Sequence, residues 1–218
     1  MGSQERRVRE REEIRTKIMD AARELFASQG VEAVSMRKIA DAIEYSPTAI
    51  YLHFADKDAL LQELCAHDFG ALARSFADEA RIKDPVERIR ALGRRFMRFG
   101  LKHPNHFRFM FLTPSKAREK IPQKQLEKRG DPEQDGYARL LLSVREALAA
   151  GRFRPEFKDE KLVTQTFAAA VNGVVALQIG MGNDPWIDWA PLEKRMETML
   201  DAICRGMTVR DSAKAGRR

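Results

Sequence analysis

From Ile14 onward the apolar residues recur at three- and four-residue intervals almost without a break, and no stretch alternates with the two-residue period of a strand. That spacing restricts the fold to packed helices. Ile14, Ile18, Ala21, Ala22, Leu25 and Phe26 make the first stripe, and Gly30 follows as a C-cap. Ser35 predicts an N-cap for a helix over 36–43, with Ile39, Ala40 and Ile43 on one face. Ser46-Pro47 sets a cap before a first-turn proline and opens a short helix reaching Phe54. Asp56 caps a longer one that carries Leu60, Leu61, Leu64, Cys65, Leu72 and Phe76.

The later helices carry similar signals. Asp84-Pro85-Val86-Glu87 combines a cap, an N1 proline and a capping-box glutamate, predicting a helix to about residue 102. A short aromatic helix follows over 104–112. Asp131-Pro132 opens the next, through Tyr137, Leu140, Leu141, Val144 and Leu148 to Gly151. Asp159 and Asp188 are the expected caps of the last two, at 160–181 and 189–206. The polar, lysine-rich stretch 113–130 reads as a connector. The expected fold class is all-α, with about nine helices.

Composition excludes several classes. With 218 residues the chain buries a core without staples, and its two cysteines, Cys65 and Cys204, rule out a disulfide scaffold or a four-cysteine zinc site. The longest apolar run, 167–181, is interrupted by Asn172, Gly173, Gln178 and Gly180, so no membrane span is expected. The first residues hold no apolar signal core, and the expected location is cytoplasmic. The net charge of +7 is unevenly spread. Residues 1–54 carry nine basic and nine acidic groups, whereas 74–130 carry 16 basic and 6 acidic, a surplus of ten. A basic chain suits nucleic acid. Solvated helix faces and a disordered basic tail over 209–218 account for the charge equally well.

Function concentrates in two short helices joined by a tight turn, 36–43 and 47–54, which have the dimensions of a helix-turn-helix. The second helix of such a unit enters the major groove and presents its N-terminal side chains to base edges. Phe26, Ile39, Ile50 and Phe54 supply the core that holds it. Base reading is assigned to Pro47, Thr48 and Ala49, with Arg37 from the preceding helix. Thr48 can hydrogen-bond a base edge or touch a thymine methyl, and Arg37 can pair with guanine O6 and N7 or simply hold a phosphate. The arm bearing Arg6, Arg7, Arg9 and Arg11 either reaches DNA or forms a helical extension paired with Glu5, Glu10, Glu12 and Glu13.

These residues resemble a known family. Ile18, Ala21, Ala22, Leu25, Phe26 and Gly30, then Ser35-Met36-Arg37-x-Ile39-Ala40, then Ser46-Pro47-x-x-Ile50-Tyr51-x-His53-Phe54-x-x-Lys57-x-x-Leu60, are similar to the DNA-binding domain of TetR-family transcriptional repressors. The resemblance covers about residues 14–62. It implies an all-α homodimer with a three-helix head over 1–58 and a ligand-binding and dimerisation body over 59–208. It sets Tyr51 and Lys57 against DNA phosphates, a contact that fixes register without reading sequence. His53 is divided between backbone contact and helix packing, and Ser35, Lys38 and Ser46 complete the expected DNA-binding set. One departure stands out: the family usually has glycine in the turn where this chain has Glu44. If that position needs positive φ, the side chain costs about 1–2 kcal/mol.

The runs 103–111 and 167–173 resemble a C-terminal subtype of that family with a Trp…His-Gly signature, although Ala168 and Asn172 occupy the Trp and His places. The last two helices of each subunit are expected to form the dimer interface, small residues such as Ala168, Ala169, Ala170 and Gly173 allowing close approach. Phe96, Phe99, Phe107, Met110, Phe111, Tyr137, Phe167 and Trp186 are candidates for an effector cavity, although core packing accounts for most of them as well. Asn172 and Gln178, amides on an apolar helix, need a ligand, a partner subunit or a backbone group.

No enzyme motif is present, no cofactor is called for, and His103-x-x-His106 lacks a third ligand for a metal site. The expected partners are an operator duplex, a small-molecule effector and a second copy of the chain. The expected function is a repressor released by its effector. An activator or co-repressor-dependent regulator, and a helical small-molecule binder without DNA function, are the alternatives.

Overall fold

The computed structural model describes residues 3–114 and 126–209, and the connector over 115–125 and the tail from 210 lie outside them. Among the described residues the fold is all-α with nine helices: α1 Ser3–Gln29, α2 Met36–Ala42, α3 Pro47–Tyr51, α4 Lys57–Ser75, α5 Pro85–Lys102, α6 Pro104–Phe107, α7 Gly136–Ala149, α8 Glu160–Met181 and α9 Leu192–Met207. A 3₁₀ turn, Glu79–Arg81, follows α4, and α6 continues as a π turn over Arg108–Leu112. The chain forms two compact units, Met1–Phe69 with His103–Glu127, and Gly70–Lys102 with Lys128–Arg218.

In the first unit, the stripe Ile18, Ala22 and Phe26 of α1 is buried with Met36, Ile39 and Ala40 of α2, Ile50 of α3, Phe54, and Leu60, Leu61 and Leu64 of α4. Phe107, Phe109 and Met110 complete this core, and Phe26 stacks on Phe109 with centroids 6.0 Å apart. Into it is set one charged pair. Arg23 donates from Nε and Nη2 to the two carboxylate oxygens of Asp68, both at 2.8 Å, and from Nη1 to Asp20 Oδ1 at 2.5 Å. Helix α1 begins well before its apolar stripe. Over its first turns the Arg6–Glu10 and Arg9–Glu13 pairs, four residues apart, supply the support that burial supplies later.

In the second unit α5 packs against α7, α8 and α9. Ile89, Leu92, Phe96 and Met97 face Val144 and Ala147 of α7, Val163, Phe167, Val171 and Val175 of α8, and Met196 and Leu200 of α9 in one buried core. Gly93 is the point of closest approach: a Cβ there would lie 2.7 Å from Phe167 Cζ and 2.9 Å from Leu200 Cδ2. Beside it runs an antiparallel ladder of charges. Arg90 meets Asp201, Arg94 meets Glu197 at 2.5 Å, and Arg98 meets Glu193 at 3.9 Å, each step being four residues on both helices. Arg88–Glu146 and Arg95–Glu79 add two more pairs. The basic surplus of α5 is therefore largely matched inside its own unit.

Two helix starts differ from expectation. Helix α7 opens at Gly136 under Asp135, whose carboxylate accepts from Tyr137 N and Ala138 N at 2.9 and 3.2 Å; Asp131 instead caps the preceding turn. Helix α9 starts after Pro191 rather than at Asp188, because the residue before a proline disfavours helical backbone. Asp159 caps α8 as expected. Helix α8 is long and apolar enough to cross a bilayer by length and composition alone, a test that the core helix of a helical bundle also passes.

At the end of α2, Tyr45 N donates to Ala40 O at 3.0 Å and Glu44 N to Asp41 O at 3.3 Å, the two bonds of a Schellman motif. Its left-handed position is Glu44, with φ 59°. The turn therefore has the usual geometry and carries the side-chain strain. Glu44→Gly removes about 1–2 kcal/mol of strain and loses part of it to the greater freedom of unfolded glycine. The expected result is a gain of about 0.5–1 kcal/mol in a urea titration, and a loss would show that the glutamate makes a compensating contact.

Candidate nucleic-acid interface

Two serines set the reading helix and the one before it. Ser35 Oγ accepts from Lys38 N, and Ser46 Oγ accepts from Ala49 N, each at 3.2 Å, so both hydroxyls cap helix starts. Pro47 at the first position of α3 fixes the entry angle. Burial of Ile50 and Phe54 turns the opposite face outward, leaving Pro47 and Thr48 exposed, Ala49 half-buried and Tyr51 53% exposed. Helix α3 is shorter than expected, ending at Tyr51, and Leu52, 73% exposed, begins the turn that carries His53 to Phe54. Arg37 and Lys38 are exposed on α2.

The lysines are engaged. Lys57 Nζ donates to Val31 O at 3.1 Å and Val34 O at 3.3 Å, and Lys38 Nζ to Ala33 O at 3.0 Å and Gln29 Oε1 at 3.2 Å. Both ammonium groups thus hold the loop between α1 and α2, and each retains one N–H beyond these bonds. His53 is half-buried, and its Nδ1 is buried without a hydrogen-bond partner. Burial first, and then the charges of Arg11 and Arg15, hold its pKa below the usual imidazole value, so it is neutral at pH 7.

Arg15 was not singled out by the sequence. Its Nη1 donates to His53 O at 2.8 Å, its Nη2 pairs with Glu63, and its guanidinium lies 4.5 Å from the centroid of Phe54. One side chain of α1 thereby ties the end of the reading helix to α4. The available signal was a cation between Ile14 and Ile18, on the buried side of the stripe.

The effector candidates divide between the two units. Phe107 and Met110 are buried in the first, where Phe107 and Phe111 have centroids 5.1 Å apart. In the second, Phe96 and Phe167 are core residues, Phe99 is half-buried, Tyr137 is exposed and Trp186 is 94% exposed. The amides have protein partners: Asn172 Nδ2 donates to Ala168 O at 2.9 Å, and Gln178 Oε1 accepts from Arg195. An apolar cavity among Val86, Ile89, Val144, Phe153, Val163, Phe167 and Met207 measures about 10 Å³, room for a single water and no organic molecule. The rings of His103 and His106 are 5.1 Å apart, and among the described residues no three His, Cys, Asp or Glu side chains gather as a metal site. Cys65 is half-buried, while burial pushes the Cys204 thiol up to about 11, so it stays protonated.

Comparison with known proteins decides the class. A family model described as bacterial regulatory proteins, tetR family, matches residues 18–64, and a second, described as tetracyclin repressor-like, C-terminal domain, matches 89–203. The chain belongs to the TetR family of transcriptional regulators. It is thus a helix-turn-helix, DNA-binding regulator of a non-enzymatic family. Among curated relatives, the HTH-type transcriptional regulator UidR of Escherichia coli K12 is 37% identical over 75 residues. That match spans 34% of this chain and 35% of UidR, about a third of the relative's length. The nicotine-responsive repressor HdnoR of Paenarthrobacter nicotinovorans is 35% identical over 83 residues, 38% of this chain and 41% of HdnoR. A solved TetR-family regulator from Marinobacter aquaeolei VT8 shares the fold with a TM-score of 0.70 at 21% identity, covering 90% of this chain and 96% of its own. The ketosteroid regulator KstR2 of Mycobacterium tuberculosis gives 0.68 at 20% identity, covering 90% and 95%. This TetR-family chain shares that fold.

Proposed function

We propose that this TetR-family chain is a homodimeric repressor that leaves a pseudo-palindromic operator when a small molecule binds its helical body. The observation that carries the DNA half is the orientation of α3: Ile50 is buried while Pro47 and Thr48 stand in solvent at the capped helix start, the end a recognition helix presents to base edges. Residues 1–58 are the DNA-binding part and 59–208 the effector and dimer part. Thr48, Ala49, Pro47 and Arg37 read bases; Tyr51 and His53 contact the backbone, and Lys57 and Lys38 do so with their remaining N–H groups.

Support for the dimer comes from α8. Its inner face, Val163, Phe167, Val171 and Val175, is buried, yet Leu162 is 61% exposed, Leu177 and Met181 are exposed, and Gly173 and Gly180 have open space where a Cβ would stand. An apolar outer face with small residues suits a second copy through α8 and α9, which would set two heads about 34–36 Å apart or a multiple of it. An effector that favours another spacing needs only about 5.5 kcal/mol of differential affinity to turn occupancy from 99:1 to 1:99.

Selecting bound genomic fragments and titrating them tests the reading. Thr48→Ala is expected to lose about 1–3 kcal/mol on the selected operator and to relax preference at one position. An unchanged selected motif would remove Thr48 as a base reader. Sedimentation giving a monomer at all concentrations would remove the two-headed geometry.

A further inference from the structure

Residues 1–54 of the DNA-binding head carry no net charge, and Asp56, Lys57 and Asp58 make the head over 1–58 slightly acidic, so its affinity for a polyanion depends on which cations are free. Of the nine basic residues in 1–54, five are held by protein groups: Arg6 by Glu10, Arg9 by Glu13, Arg15 by Glu63 and His53 O, Arg23 by Asp68 and Asp20, and Lys38 by Gln29 and Ala33 O. Arg7, Arg11, Lys17 and Arg37 have no such partner among the described residues. Arg37 already has a proposed role. Arg7, Arg11 and Arg15 follow one another at four-residue spacing on α1, within an arc of about 80°, whereas Lys17 lies about 200° round from Arg15.

This line of arginines has a direction. Arg15 is bonded to the carbonyl of His53 at the end of the reading helix, and the charge of Arg11 is felt at the His53 ring more strongly than the opposing charge of Glu12. Residues 4–13 are exposed throughout, so this part of α1 projects beyond the core with Arg7 and Arg11 on the side that carries Arg15. A helix seated in the major groove has phosphates along both walls, and a cationic line passing its end meets one of them. The self-pairing of Arg6 and Arg9 removes the neighbouring positive charge and leaves two defined donors.

We propose that Arg7 and Arg11 extend the operator contact of the head onto backbone phosphates beyond the recognition helix. The inference rests on the reading of the head as an operator binder. Its contact carries no sequence information directly, adding affinity and register. It lengthens the occupied duplex at each head.

The test measures binding of the full chain to its selected operator between about 50 and 200 mM salt. Replacing both arginines, Arg7→Ala with Arg11→Ala, is expected to shrink the slope of log K against log salt by about 0.9 per arginine at each head. Lys17→Ala, a free cation on the other side of the helix, is expected to leave the slope unchanged. Trimming the duplex from its ends is expected to weaken the parent at a length where the double variant is already insensitive. A double variant with the parent's slope and length dependence would overturn the inference while leaving operator binding intact. Equal losses from Lys17→Ala would overturn it too, by showing diffuse attraction instead of contact. A parent protein that selects no DNA would instead refute the repressor reading, and this inference with it.

Discussion

Asp68→Ala is expected to destabilise the first unit by about 3–5 kcal/mol in a denaturant titration, because it leaves Arg23 buried without its main counter-charge. Arg23 is 3% exposed and Asp68 is fully buried. Burial alone would depress the arginine pKa, and the bonds to Asp68 and Asp20 more than offset it, leaving the value raised. Asp20, with its side chain 63% exposed, cannot replace the bidentate partner. His67 Nδ1 lies 3.0 Å from Asp68 Oδ1 and His106 Nε2 3.8 Å away, so the same substitution also deprives two imidazoles of a carboxylate. Combining Asp68→Ala with Arg23→Met should restore most of the loss, since an apolar replacement of a whole buried pair is often neutral or better. A single variant within about 1 kcal/mol of the parent would mean that water reaches the guanidinium.

Gly93→Val should unfold the second unit at markedly lower denaturant, by about 1–3 kcal/mol or more. The first added carbon would already stand 2.7 Å from the ring of Phe167, and the branch adds a second clash against Leu200. Both neighbours are buried in the core, and the cavity of about 10 Å³ that Phe167 lines is far too small to take a displaced ring. Gly93→Ala should fall between parent and valine variant. A graded series separates crowding from the gain in helix propensity, which acts the other way. Equal midpoints for all three proteins would show that α5, α8 and α9 move apart at Gly93 without cost.

Helices were legible wherever a local signal and the apolar period agreed. Asp159 capped α8 and Pro85 opened α5 where expected, because each cap acts through bonds to its own next few residues. Helix α9 was misplaced because Asp188 is an equally good cap by type, and only the backbone restriction imposed by Pro191 rejects it. The first turns of α1 were legible as a helical extension by their i, i+4 charge spacing, although the apolar stripe begins only at Ile14, because ion pairs hold these turns and they have no buried face. At the site, Thr48 and Tyr51 could be placed from the motif, since Ile50 and Phe54 fix the inward side. The engagement of Lys57 by Val31 O and Val34 O could not, because backbone carbonyls leave no trace in residue type. Arg15 and the Arg23–Asp68 pair share that limit: contacts across 38 or 45 residues, such as Arg15 with His53 and Arg23 with Asp68, have no periodic signature.

The charge ladder between α5 and α9 bears on how such a molecule searches a chromosome. Its pI of 9.6 suggests a protein that clings to any stretch of nucleic acid. Yet Arg90, Arg94 and Arg98 spend their charge on Asp201, Glu197 and Glu193, and the reading head carries no basic surplus. Weak general attraction shortens each visit to an irrelevant sequence, so the few million wrong addresses of a genome on the order of 10⁶ base pairs compete less with the right one. On the proposed repressor reading, selectivity depends on what the body neutralises as well as on what the head touches.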